Sequence, residues 1–127
     1  QHGLLREREV VLKVIKMDHQ TDVAVSDFRR ELWIMNLVHH PFLVSFIKWC
    51  PEPLSIMMEY MEMGDLRSLL VQRGLNLTEI LRIASQVSLA MHYLHSQQPA
   101  ILHLDLKSMN VLLTRGESDI PIAKVSD

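Results

Sequence analysis

The feature that most constrains the fold is a long amphipathic segment from Leu77 to His95. Apolar residues recur along it at helical spacing, which predicts one helix with a single buried side. The predicted face consists of Ile80, Ala84, Val87, Met91 and Leu94. Asn76 and Glu79 stand at capping-box spacing at its start, with Asn in place of the usual Ser or Thr. A chain of 127 residues normally forms one domain and is long enough to bury a real core.

A strand pattern and then a helix pattern precede this segment. Residues 9–17 are dense in β-branched side chains and predict a strand. From about Ser26 the period becomes that of an amphipathic helix, with Ser26 or Asp27 as its cap. The apolar positions of this helix are Phe28, Leu32 and Met35. It should end near His39 and His40, because Pro41 disfavours helical geometry in the residue before it.

The remaining elements are short. Strands are predicted at residues 42–49 and 54–60, with a turn at Pro51 and Pro53, and Gly64 breaks the chain after them. A short helix at 65–71 and small strands at 101–102, 110–114 and 122–125 complete the order. Two layers joined at a hinge fit this order better than a doubly wound sheet, because no alternating series is long enough for a parallel sheet. The fold class is therefore predicted to be α+β.

Composition narrows the function classes. A hydrophobic content of 48% with 22% charged residues is typical of a soluble globular protein. The net charge of −2 argues against nucleic-acid binding, and no apolar run approaches the roughly 20 residues of a membrane span. Cys50 is the only cysteine, which favours a reducing, cytoplasmic location. A lone cysteine is more often a small buried hydrophobe than a reactive group.

The loop at residues 103–110 carries the strongest chemical signal. Phosphoryl transfer needs a carboxylate for the attacking hydroxyl, oxygen ligands for magnesium and positive charge near the transferred group. Asp105, Asn110 and Lys107 supply these three within one short loop. The alternative is a polar surface loop of ordinary turn residues.

A lysine and a glutamate upstream form a second candidate pair. Glu31 lies beside the apolar stripe of its predicted helix, where a carboxylate is costly without a partner. Lys13, in the first predicted strand, is the natural candidate. The alternatives are a solvated lysine on an edge strand and a glutamate that reaches solvent.

The 103–110 loop resembles the protein-kinase catalytic loop, H-R-D-L-x-x-x-N. Other kinase elements follow the expected order: residues 10–13 are similar to V-A-I-K, residues 54–66 to the strand leading into the hinge, and 122–127 to the strand entering D-F-G. The resemblance implies that Asp105 is the catalytic base, assisted by Lys107. It also implies that Asn110 and Asp127 bind Mg²⁺.

The same resemblance assigns the ATP-binding residues. Lys13 would hold the α- and β-phosphates with Glu31 as its partner. By this resemblance Met58 is the gatekeeper, backbone groups of Glu59 and Met61 bind adenine, and Val11 and Leu112 enclose it. The methionines near the hinge could equally be plain core packing, for which methionine is well suited.

The implied fold is a protein-kinase-like two-lobe fold that is incomplete. Residues 1–58 would form part of the N-lobe with helix C, 59–64 the hinge, and 65–127 the start of the C-lobe with the catalytic loop. The chain would thus run from the lysine strand to the D-F-G aspartate. No G-x-G-x-x-G loop precedes Lys13. We expect this fragment to be inactive alone.

Within the kinases, the D-L-K-S-x-N form resembles the tyrosine-kinase-like group, and the Roco (leucine-rich-repeat kinase) family is similar in several stretches. This implies a serine/threonine kinase that uses ATP and Mg²⁺ on a protein substrate, in a parent that can also carry a GTPase domain. Leu104 stands where H-R-D has arginine and cannot make a charge-assisted bond. That departure leaves open a pseudokinase or truncated interaction module.

Overall fold

The computed structural model describes residues 9–14, 22–52, 54–116 and 119–126. The chain divides into two compact units. The first takes Gln1–Leu37 and Ser45–Tyr60, and the second takes Val38–Val44 and Met61–Asp127. Among the described residues, the first unit contains a three-stranded sheet and the second a two-stranded sheet.

The first unit is built on an antiparallel sheet. Its strands are β1 (Val10–Val14), β2 (Phe46–Cys50) and β3 (Ser55–Glu59). β3 lies in the middle, and its register with β1 pairs Val11 with Met58 and Lys13 with Ile56. Ile56 is fully buried, whereas all of β1 is exposed, as suits a strand at the edge of the described sheet. β1 confirms the predicted first strand, of which residues 15–17 lie outside the described part.

Helix α1 belongs to the same unit and spans Asp22–Leu37. Ser26 and Asp27 lie inside this helix, so the predicted cap is wrong. The helix starts earlier because Asp22 places a negative charge in its first turn, where the helix dipole favours it. Half-buried Ala24 and Val25 add packing to that turn. The helix ends at Leu37, two residues before the predicted end near His39 and His40.

The strand predicted at residues 42–49 is wrong in its first half. Residues 41–42 form a turn, and the Leu43 amide donates to the His40 carbonyl at 3.1 Å. The backbone from Phe42 to Val44 then bonds with Val125, at 2.9 Å and 3.0 Å. This pairing with a later part of the chain takes up the hydrogen-bonding groups that a longer β2 would need.

The second unit contains two helices and a hairpin. They are α2 (Leu66–Gln72), α3 (Leu77–His95), β4 (Val111–Arg115) and β5 (Pro121–Val125). The bounds of α3 confirm the prediction, and both bonds of the capping box between Asn76 and Glu79 are present. β4 and β5 are antiparallel and pair Leu112 with Lys124. The two downstream strands are thereby confirmed to within one residue, but residues 101–102 form no strand. The Ile101 amide instead donates to the Leu94 carbonyl at 2.9 Å and closes the end of α3.

The core of this unit lies between α3 and the hairpin. Buried Ile83 packs with Leu69 of α2 and with hairpin residues, and Ala90 and Leu94 pack with Val125. The predicted buried face of α3 is wrong at Ile80 and Ala84, which are exposed. The helix is rotated because it buries the side that faces the hairpin, a partner that periodicity alone does not identify.

The entry to α2 is fixed by two local features. Gly64 has a φ of 72°, a conformation that costs glycine little, and its amide donates to the Met61 carbonyl at 3.0 Å. Asp65 caps the helix by accepting from the Ser68 amide at 2.8 Å. The bonds that this carboxylate accepts from Ser68, chiefly from its amide and then from its hydroxyl, lower the pKa of the Asp65 carboxyl group. The predicted break and the short helix after it are both confirmed.

Candidate active site

The loop predicted to carry the chemistry runs between the end of α3 and β4. A single 3₁₀ turn, Ser108–Asn110, closes it, and the Asn110 amide donates to the Lys107 carbonyl at 2.9 Å. The loop therefore doubles back and brings its two ends together. Asp105 and Asn110, five positions apart in the sequence, become neighbours in space.

The Asn110 side chain donates two hydrogen bonds to Asp105. Its Nδ2 lies 2.9 Å from the Asp105 carbonyl oxygen and 3.2 Å from Oδ2. Since both acceptors are oxygens, the nitrogen must face them, and the amide oxygen of Asn110 points the other way. Asn110 thus offers an oxygen, the ligand type that magnesium prefers.

Lys107 completes the cluster of charges. Its Nζ lies 3.6 Å from Asp105 Oδ2, and both side chains are mostly exposed. An exposed pair of this kind adds little to stability. Its effect is instead to place a cation and a carboxylate side by side where another molecule can reach them.

His103 connects the loop to the segment after β5. Its Nδ1 accepts a hydrogen bond from the Asp105 amide at 3.1 Å, and its Nε2 lies 2.7 Å from the Ser126 carbonyl oxygen. A carbonyl only accepts, so the proton of a neutral His103 must sit on Nε2. One ring therefore connects the backbone of Asp105 to the end of β5.

Asp127, the predicted second metal ligand, lies outside the described residues. Ser126 directly before it is described, and its amide donates to the Asn110 carbonyl at 2.9 Å. The Ser126 hydroxyl donates to the same oxygen at 3.3 Å. The chain is therefore bonded to Asn110 immediately before the predicted ligand.

The predicted pair of Lys13 and Glu31 is confirmed in the first unit. Lys13 Nζ lies 2.9 Å from Glu31 Oε1, joining β1 to α1. Both side chains remain partly exposed. The glutamate beside the apolar stripe thus has its charged partner, as the sequence required.

The residues expected to contact adenine lie in strands or next to them. In the first unit, Val11 and Met58 face each other across β1 and β3, and Glu59 is the last residue of β3. In the second unit, Met61 is buried and Leu112 lies half-buried in β4. For Met61, core packing is therefore a real part of its role, whichever backbone groups it offers.

Leu104 adopts an unusual conformation. Its φ is 65°, a left-handed value that costs a non-glycine residue about 1–2 kcal/mol. Its side chain is 89% exposed. An apolar, fully solvated side chain thus occupies the position beside Asp105 where H-R-D carries arginine.

A carboxylate that sequence reasoning missed is Glu62. It accepts from the Thr114 hydroxyl at 2.8 Å and from the Arg115 amide at 2.7 Å. The Arg115 amide is the main reason that the pKa of the Glu62 carboxyl group is lowered, and the Thr114 hydroxyl adds to it. The partners are more than fifty positions away in the sequence, so no local spacing signals them.

Comparison with known proteins supports the same reading. The family model for protein tyrosine and serine/threonine kinases matches residues 2–127. The probable serine/threonine-protein kinase pats1 of Dictyostelium discoideum is 40% identical over 82% of this chain and 3% of its own length. The probable serine/threonine-protein kinase roco5 of the same organism is 37% identical over 98% of this chain and 5% of its own length. The serine/threonine/tyrosine-protein kinase HT1 of Arabidopsis thaliana is 34% identical over 87% of the chain and 30% of its own length.

This chain therefore belongs to the protein tyrosine and serine/threonine kinase family. Relatives named roco5 and roco8 confirm the predicted resemblance to Roco kinases. The chain spans only a small part of the length of the curated relatives it matches. In the described part of the chain, no helix is both long and apolar enough to cross a membrane.

Proposed function

We propose that this chain supplies the catalytic centre of an ATP-dependent protein serine/threonine kinase. The observation that carries the proposal is the cluster around Asp105. One of its carboxylate oxygens lies 3.2 Å from the Asn110 amide nitrogen and 3.6 Å from the Lys107 ammonium. A proton acceptor, an oxygen ligand and a cation are the groups that phosphoryl transfer requires. Membership of the kinase family supports this chemistry.

In this proposal Asp105 orients the serine or threonine hydroxyl and accepts its proton. The hydroxyl oxygen forms a bond to the γ-phosphorus as the bond to the β–γ bridging oxygen breaks, and ADP leaves. Lys107 stabilises the negative charge on the transferred group. The exposed position of both side chains suits a macromolecular substrate.

Asn110 and Asp127 are the proposed magnesium ligands. Two hydrogen bonds to Asp105 orient the Asn110 amide, so that its oxygen is available for a cation. Ser126 precedes Asp127 in the chain and is bonded to Asn110 through its amide and hydroxyl, which supports the proposal. When bound, Mg-ATP supplies the phosphoryl group and the metal charge that offsets the phosphates.

Lys13 is the proposed ligand of the α- and β-phosphates, and Glu31 keeps its ammonium in place at 2.9 Å. Backbone groups of Glu59 and Met61 bind adenine in this proposal, with Met58 as gatekeeper. Val11 and Leu112 supply the apolar contacts to the ring. The same proposal places the parent protein in the tyrosine-kinase-like group and in the cytoplasm. It also includes a GTPase domain elsewhere in the parent.

The decisive test is Asp105→Asn in the full-length protein. Loss of the proton acceptor should lower phosphate transfer to a protein substrate at least about 100-fold, while ATP binding persists. Asp119→Asn is the matched control, because Asp119 is exposed in the same unit and its φ of 58° suits asparagine. Transfer that survives in Asp105→Asn would reject the assignment.

One observation favours a second candidate, a kinase-fold scaffold without turnover. Leu104 replaces the arginine of H-R-D and is 89% exposed beside Asp105. An apolar group there can serve protein contacts rather than charge recognition. A full-length protein that binds ATP but transfers no phosphate to any substrate, itself included, would favour this candidate.

A further inference from the structure

The segment after Met61 pairs with β4 inside the second unit. The Met63 amide donates to the Leu113 carbonyl at 3.1 Å, and the Leu113 amide returns a bond to the Gly64 carbonyl at 2.8 Å. An isolated bridge joins Asp65 to Leu112. The backbone pairing therefore fixes residues 63–65 against the strand.

Glu62 extends this attachment with its side chain. Both carboxylate oxygens lie 2.8 Å from the Thr114 hydroxyl, and Oε1 also accepts from the Arg115 amide at 2.7 Å. Hydrogen bonds to a charged acceptor are the stronger kind, and the one from the Arg115 amide is at the short end of their range. The backbone ladder stops at Met63, and the carboxylate adds an attachment at Glu62, beside the turn in which the Gly64 amide donates to the Met61 carbonyl at 3.0 Å.

The bonds from Glu62 to Thr114 and Arg115, here called the clamp, affect two residues that lie near its ends. Met61 precedes Glu62 directly, and Leu112 lies two positions before Thr114 on β4. Met61 is 5% exposed and so has little freedom of its own once residue 62 is held. A hydrogen bond weakens steeply when its distance or angle departs from the optimum. A change in the backbone angles at Met63 that moved Met61 would therefore weaken the hydrogen bonds of a ligand bound to the Met61 backbone.

We propose that Glu62 is a positioning residue for adenine binding, which it serves by clamping the Met61 backbone at a fixed distance from Leu112 through Thr114 and the Arg115 amide. The inference rests on the proposed function, because that function assigns Met61 and Leu112 to adenine. Glu62 itself touches no nucleotide in this scheme.

The test is titration of the full-length protein with ATP and, separately, with adenosine. Glu62→Ala should weaken both by a similar factor, about fivefold, because the disturbed contacts are those to the base. Thr114→Val should weaken them less, since the bond to the Arg115 amide remains. Thr114→Ser restores the hydroxyl and should bind as the wild type does. In the Glu62→Ala background, Thr114→Val should have no further effect.

Glu52→Ala is the control, because Glu52 is an exposed glutamate in a turn of the other unit. Equal ATP and adenosine affinities in Glu62→Ala and wild type would overturn this inference, even if Glu62→Ala melted at a lower temperature. Additive effects of the Glu62 and Thr114 changes would overturn it as well. A wild-type protein that binds neither ligand would overturn the proposed function and this inference with it.

Discussion

At the scale of single residues, the ion pair of Lys13 and Glu31 is expected to matter for activity much more than for stability. The two side chains are 46% and 33% exposed, and their closest atoms lie 2.9 Å apart. Exposed pairs of this kind contribute only about 0–1 kcal/mol to the free energy of unfolding. A small contribution to stability is what we expect if the main role of Lys13 is the proposed one at the phosphates.

Lys13→Met should therefore remove activity without unfolding the protein. We expect phosphate transfer by the full-length protein to fall about 100-fold or more, because one preorganised cation at the phosphates is lost. The melting temperature should fall by no more than about 4 °C. Kinetic assays and thermal melts check the two parts.

Lys48→Met is the matched control, since Lys48 is an exposed lysine on β2 of the same sheet. A large fall in the melting temperature of Lys13→Met would mean that the pair is structural. Unchanged transfer would remove Lys13 from the proposed phosphate site.

At the scale of elements, the junction of α2 and α3 depends on one buried carboxylate. Glu79 accepts two bonds from the Arg73 guanidinium, at 3.1 Å and 2.8 Å, and one from the Asn76 amide at 3.2 Å. Arg73 is the first cause of the lowered pKa of Glu79, and the Asn76 amide is the second. The helix cap and the ion pair thus share a single side chain.

This junction makes stability depend on acid pH in a defined direction. A depressed native pKa contributes stability that is fully present above the unfolded carboxyl pKa of about 4.3 and is lost as pH falls through the native pKa. Glu79→Gln should therefore lower the melting temperature of the full-length protein at pH 7. The difference between wild type and variant should shrink as the pH is taken well below about 4.

Thermal melts of both proteins across this range check the prediction. Glu52→Gln provides the comparison, because it removes a carboxylate from an exposed turn. A difference between Glu79→Gln and wild type that stays constant from neutral to acid pH would contradict the assignment to ionised Glu79.

At the scale of the whole molecule, large apolar side chains remain on the surface of α3. Ile80 is 47% exposed, Leu81 61% and Leu89 49%. Exposed apolar side chains, where they adjoin in a patch, mark either an interaction site or a tendency to aggregate. This exposure depends on the packing of the whole unit, because the hairpin covers only one side of α3 and leaves the other sides exposed.

We expect the 127-residue chain by itself to bind a hydrophobic dye and to melt without a sharp transition. Replacing Leu81 and Leu89 by glutamate should reduce dye binding, because both are exposed and their substitution leaves the core intact. Dye fluorescence and calorimetry measure the two effects. A sharp cooperative melt with no dye binding would refute the expectation.

The sequence predicted those features that depend on neighbours along the chain. Asn76 and Glu79 form the capping box that their spacing indicates, since both bonds close within one turn of helix. Gly64 breaks the chain where a positive φ is needed. Lys13 and Glu31 lie 18 positions apart, and their pairing followed instead from the need of a charge beside an apolar stripe for a partner. The spacing of Asp105 and Asn110 likewise anticipated a shared loop.

Three of the errors arose where a distant partner decided the outcome. The first half of the predicted second strand was lost because residues 42–44 bond with Val125 instead of extending β2. The face of α3 was misjudged at Ile80 and Ala84, because the position of the hairpin sets which side is buried. Glu62 went unnoticed because its partners on β4 are remote in sequence.

The sequence by itself therefore determined most of the order of helices and strands and the cap of α3, because these depend on residues within a few positions, and it carried the kinase-type motifs. Tertiary structure decided the rotation of α3, the true extent of β2 and the clamp from Glu62 to β4. Those features depend on which surfaces pack together after the chain has folded back on itself. Periodicity along one segment shows that a face is apolar but not which other segment covers it.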